Sequence, residues 1–161
     1  MKMKIIWKAL IITLFLCAGK AGVQQALAQK ADKVAFYAAM KSDNADEINK
    51  ELDALGDNEP GYAGALTIRK AGLPKAKERL KLFKQGKAKL EAAIAAEPDN
   101  TEYRFLRLSI QEHTPKIVRY KADLETDKAF IIKHFAKLSL VVQRAVKDYA
   151  KDSKILKPED L

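Results

Sequence analysis

Residues 91–111 read EAAIAAEPDNTEYRFLRLSIQ. A run of alanines and one isoleucine ends at Glu97, Pro98-Asp99-Asn100 turns the chain, and a second helix begins at Thr101. Proline and asparagine punctuate in this way because proline cannot continue a helix and an asparagine side chain caps the next one. The second helix is predicted over 101–113, where Thr114-Pro115 stops it. At about 100° per residue, Tyr103, Leu106 and Ile110 fall on one side and Phe105 and Leu108 on another. A helix apolar on two sides is a buried helix. Leu90, Ile94, Leu106 and Ile110 are expected to pack across the turn.

Between those two apolar sides Arg104, Arg107 and Gln111 form a narrow polar strip. Two guanidiniums bordered by apolar surface have two uses. They pair with acids inside the fold, with Glu91, Glu97, Asp123, Glu125 and Asp127 within reach in sequence, or they stay open and grip the carboxylate of a partner. Partly buried charge is rarely left unpaired, which favours the first use. The three residues are the candidate partner-binding site.

Upstream, helices are predicted over 30–41, 44–55, 61–71 and 75–97. Val34, Tyr37 and Met40 give the first its apolar stripe, and Ile48, Leu52 and Leu55 the second. Asn44 with Glu47 resembles a capping box. Gly56 and Gly72 suit helix stops, and Pro74 suits a first turn. The third helix carries Ala63-Gly64-Ala65, and the fourth Gly86. Glycine costs a helix about 1 kcal/mol relative to alanine, so these positions mark close approach of another helix. The stripe of the fourth is Leu80, Phe83, Leu90 and Ile94; most of six lysines (Lys75, Lys77, Lys81, Lys84, Lys87, Lys89) face away from it.

Downstream, residues 117–120 are expected to tuck apolar side chains inward. Asp123 or Thr126 caps a sixth helix reaching about residue 134, and a seventh spans 139–151. Residues 153–161 are expected to be a flexible tail. No alternation of apolar and polar residues is sustained, and Ala, Leu, Lys and Glu dominate. The fold class is therefore all-α: antiparallel helical hairpins, about seven helices in one domain over residues 29–152.

The N-terminus has the layout of a secretory signal. Lys2, Lys4 and Lys8 precede an apolar run from Ala9 to about Gly19, and Ala26-Leu27-Ala28 offers small residues for cleavage. The run is short of the roughly 20 residues that span a membrane. Residues 1–28 are therefore expected to be a signal peptide and the protein periplasmic or secreted, with no stable membrane span after removal. Cys17 offers lipid anchoring as an alternative, although Leu16 precedes it where such signals carry Gly, Ala or Ser. Cleavage removes Lys2, Lys4, Lys8 and Lys20 and no acid, so a net charge of +9 less those four becomes +5. That is too mild to point to nucleic acid. The only Cys and the only Trp leave as well, so no disulfide or thiolate metal site remains.

His113 and His134 are the only histidines. Neither sits at metal-ligand spacing from another donor, and each suits a helix C-terminus, where a cation meets the dipole. No hydrolase, zincin or phosphate-loop motif occurs. No catalytic residue, cofactor or metal is expected.

Leu90, Ala93 and Pro98, with Gly86 four residues before Leu90, resemble the second helix of a tetratricopeptide repeat and the turn after it. The likeness covers about one helix and a turn. Pro74 falls inside what would be the preceding helix, Arg104 stands at the next repeat's large aromatic position, and Leu108 stands at its small one. The run 98–111 also resembles small exported helical proteins of bacterial envelopes without an assigned activity. The resemblance implies stacked hairpins with a concave surface, hence an interaction or scaffold protein whose partner is another envelope protein. The alternatives are an enzyme with an unrecognised site, and a binder of anionic envelope polymers through the lysine face.

Overall fold

The computed structural model describes residues 32–161, and the predicted signal peptide and Cys17 lie outside the described residues. Seven α-helices follow in order among them: α1 Lys33–Lys41, α2 Ala45–Leu55, α3 Pro60–Ala71, α4 Arg79–Ala96, α5 Thr101–His113, α6 Leu124–His134 and α7 Leu140–Ala150. Short 3-10 turns occupy Lys116–Val118, Phe135–Lys137 and Pro158–Asp160. No strand occurs among the described residues. The chain is all-α.

Local signals set most boundaries. Asp32 accepts from Val34 N and Ala35 N, Asn100 from Tyr103 N, and Ser139 from Val142 N. Each satisfies a backbone N–H that the first turn leaves free. Asn44 caps α2 through Asp46 N at 2.8 Å, but Glu47 does not return to the Asn44 N–H as a capping box requires. Ser42 Oγ takes that N–H at 3.0 Å and donates to Glu47 at 2.6 Å, so the box closes through one extra hydroxyl.

Helix α3 lies at the centre. Small residues let it, because Gly64 and Gly86 cross with almost no space between backbones. A Cβ added to Gly64 would stand 2.7 Å from Gly86 O and from Leu90 N. One added to Gly86 would stand 2.6 Å from Gly64 O and 2.9 Å from Ile68 N. Since Gly64 meets Leu90 while Ile68 meets Gly86, α3 and α4 run antiparallel. The other side of α3 meets α5, where the Tyr103 ring covers Gly61. Helix α5 is the second central element, with Tyr103, Phe105, Leu106, Leu108 and Ile110 all buried. Leu90 and Ile94 of α4 are buried with them.

Several expectations are corrected. Helix α4 begins at Arg79, not at 75: Leu73 turns inward and is buried, Ala76 N donates to Leu73 O, and Arg79 donates to Leu73 O and Pro74 O. Glu78 closes this turn at φ 52°. In α1 Phe36 and Ala39 are buried, with Tyr37 and Met40 packed against the core, while Val34 is 65% exposed. Leu80, Ile117 and Leu140 are exposed as well. The segment 153–161 is not a loose tail. Leu156 is 0% exposed, Ser153 and the Lys154 N–H bond Glu112, and Asp160 pairs with Lys128 at 2.8 Å. A short stretch with one anchoring leucine and three polar ties docks without needing a helix of its own.

Candidate functional site

The strip Arg104, Arg107, Gln111 is brought together and turned inward against α6. Arg107 is 7% exposed and Asp127, opposite it, 0%. Arg107 Nε reaches Asp127 Oδ2 at 2.7 Å and Nη2 reaches Oδ1 at 2.8 Å. Its Nη1 donates to Glu91 Oε2 of α4 at 2.9 Å, and Asp123 Oδ1 lies 3.6 Å from Nη2. Burial alone would lower the guanidinium pKa, but the Asp127 hydrogen bonds and the charges of Asp127, Glu91 and Asp123 outweigh it and raise it.

The flanking residues complete the network. Arg104 Nη1 lies 3.2 Å from Asp127 Oδ1, its Nε and Nη2 donate to Pro98 O, and its plane sits 4.3 Å from the Phe130 ring centre. Fully buried Gln111 exchanges two bonds with Asp123, donating to Oδ2 at 2.8 Å and accepting from the backbone N at 3.1 Å. This use of Asp123 explains why its side chain does not cap α6. Tyr120 donates to Glu91, and burial and that carboxylate raise its pKa. The pairing 104–127 and 111–123 runs in opposite directions, so α5 and α6 are antiparallel. The strip is thus a clamp between α4, α5 and α6, and Arg104, Arg107 and Gln111 take the first of the two uses open to them, pairing inside the fold. Of the five acids within reach, Glu91, Asp123 and Asp127 take part.

Two further clusters on α5 escaped the sequence reading. Glu102 accepts from Lys33 and Tyr37 at 2.9 Å each, and Lys33 also donates to the Tyr62 hydroxyl. Burial, then the Glu102 charge, pushes both phenols far up. At the other end Glu112 accepts from Tyr149, Ser153 and Lys154 N. The available signal was an acid placed at each end of an otherwise apolar helix.

A cavity of about 1080 Å³ opens between α1, α3, α4, α5, α7 and the C-terminal segment. Met40, Ile68, Leu80, Phe83, Phe105 and Ile110 contribute its apolar wall. Two residues of the α4 stripe line this space, exposed Leu80 and Phe83, which is half-buried and meets the Tyr120 ring edge-on. The hydroxyls in the lining are already engaged: Tyr37 on Glu102, Ser109 on Leu106 O, Thr114 on Ile110 O, Tyr149 on Glu112. His113 turns Nδ1 to Ser109 O at 2.9 Å. No family model matches the chain, and no curated protein or solved structure matches it.

Charge in the lining comes from Lys41, Arg69, Arg79 and Lys151 against Asp148 and Asp152. Lys151 and Lys41 both reach Asp148, at 2.8 and 3.4 Å, and this lowers the Asp148 pKa. Arg69 donates to Met40 O, Ser42 O and Asp43. Arg79 has only the two carbonyls of Leu73 and Pro74 as partners, and no carboxylate among the described residues. Among those residues, no group of three or more His, Cys, Asp or Glu could hold a metal ion. No helix there is long and apolar enough to cross a membrane. His134 turns Nδ1 to Phe130 O, within its own helix.

Proposed function

We propose that this chain is an exported, non-catalytic interaction or scaffold protein of the cell envelope, tetratricopeptide-like in its first helices, which holds its partner by burying apolar surface in the cavity beside α4 and α5. The observation that carries this reading is the cavity itself. Its size is just above the range of about 300–1000 Å³ typical of ligand sites. Its wall is apolar, its hydroxyls are engaged within the fold, and its acids lie beside lysines rather than beside a nucleophile. Such a lining supports binding rather than bond-making. Export rests on the pattern of residues 1–28. Mass spectrometry of protein from the native host is expected to find an N-terminus at Gln29. A photo-cross-linker at Leu80, on the cavity, is expected to capture a defined species that one at Lys84 does not. A chain beginning at Met1, or capture only from Lys84, contradicts the proposal.

The exposed side of α4 and the turn before it support a second reading. Lys75 and Lys77 of the turn and Lys81, Lys84 and Lys89 of α4 are exposed, a face suited to an anionic polymer. Affinity for such a polymer falls steeply with salt. A salt-insensitive partner excludes this face as the site.

A further inference from the structure

We infer that the cavity takes the hydrocarbon tail of a single-chain anionic amphiphile, with its acidic head at Arg79. This deepens the binding role proposed for the same cavity and rests on it. The wall decides what the interior accepts. An extended peptide would bring N–H and C=O groups that need partners. Yet Ser109 and Thr114 donate to their own helix and Tyr37 and Tyr149 donate to Glu102 and Glu112. A hydrocarbon chain asks for none. Met40, Ile68, Phe83 and Ile110 offer it carbon surface within about 1080 Å³.

The charge decides which head. Four cations (Lys41, Arg69, Arg79, Lys151) face two acids (Asp148, Asp152) in the lining, an excess of positive charge. Lys41, Arg69 and Lys151 have carboxylates already. Arg79 does not: one terminal nitrogen of its guanidinium serves two carbonyls, and the rest of the fork is open to an oxyanion. Leu80, the next residue, is 62% exposed and lines the cavity. Head and tail sites are therefore consecutive in the chain. A carboxylate and a phosphate monoester both fit a guanidinium fork, so fatty acids and lysophospholipids share the chemistry.

The test is calorimetric titration of the exported protein with alkyl carboxylates of graded chain length below their micellar concentrations. Dodecyl phosphate, lysophosphatidylglycerol and neutral dodecyl maltoside are run beside them. Affinity is expected to rise up to about fourfold per added methylene until the cavity is filled. The stronger of laurate and lysophosphatidylglycerol identifies the source. Arg79→Gln is expected to weaken the anionic probes about fivefold and leave dodecyl maltoside unchanged. Ser109→Phe places a ring inside the cavity and is expected to weaken binding of every probe. Should that variant unfold, Leu80→Asp, at an exposed position, serves instead and is expected to weaken the anionic probes most. Affinity independent of chain length, or equal loss of anionic and neutral probes in Arg79→Gln, overturns the inference. If an acidic amphipathic helical peptide competes for the Leu80 site while no amphiphile binds, the amphiphile is wrong and the cavity as a binding site stands. If neither binds, both fall.

Discussion

Arg107 and Asp127 meet as a two-pronged buried pair, Nε to Oδ2 at 2.7 Å and Nη2 to Oδ1 at 2.8 Å. Removing either partner strands the other charge, which costs about 3–5 kcal/mol. Arg107→Gln and Asp127→Asn are each expected to lose that much in urea unfolding. Because both remove one interaction, the double variant should lose less than the sum. Additive losses would mean that the pair is not coupled. Arg104→Gln, which also gives up carbonyl bonds and a ring contact, is expected to lose less, about 1–2 kcal/mol.

The glycine crossing makes a prediction opposite to helix propensity. Alanine at Gly64 or Gly86 gains up to about 1 kcal/mol of intrinsic helix preference. It also drives a methyl to within 2.7 Å of Gly86 O or 2.6 Å of Gly64 O, and backbone cannot swing aside as a side chain does. Both variants are expected to be destabilised, by about 1–3 kcal/mol. Unchanged or raised melting temperatures would show that the helices stand further apart.

Glu112 predicts an acid response. Burial would raise its pKa, but bonds from Ser153, Tyr149 and Lys154 N and the nearby His113 bring it below the ordinary 4.5. A depressed folded value means that Glu112 stabilises the fold above pH 4.5 and loses that contribution as pH falls through the folded pKa. The Glu112→Gln variant lacks this titration. Its melting temperature is expected to start lower and to fall less steeply below that pH than the parent's. Parallel curves would remove Glu112 from the acid response.

Leu106 and Leu156 are both essentially buried, at 1% and 0% exposure. Truncating either to alanine is expected to cost about 2–5 kcal/mol. For Leu156 a loss below about 0.5 kcal/mol would mean that the C-terminal segment is loosely held after all.

What could be read in advance divides along the range of the forces involved. Helix α5 was legible to the residue because Asn100 caps it and Thr114-Pro115 stops it, all within the sequence neighbourhood. The close approach of α3 and α4 was legible because glycine inside a helix needs a reason. The strip on α5 was visible from its spacing, and pairing inside the fold was one of its two readings. Which acids would pair depended on the rotation of α6, which is set by packing. The docked C-terminal segment was hidden because Ser153 finds Glu112 over 41 residues. Phe36 was missed in favour of Val34 because one turn of α1 has apolar residues on two sides. The cavity was hidden for a different reason: it is a place where five helices fail to fill space, and no single stretch of sequence carries that.

Where a ligand sits tests the central claim most directly, and methyl-labelled protein titrated with laurate reads it. The account predicts shifts at Met40, Ile68, Leu80, Ile110 and Val118, all on the cavity, with Leu55 and Ile131 in the core unmoved. Shifts spread evenly over the methyls, or none at saturating laurate, would contradict it.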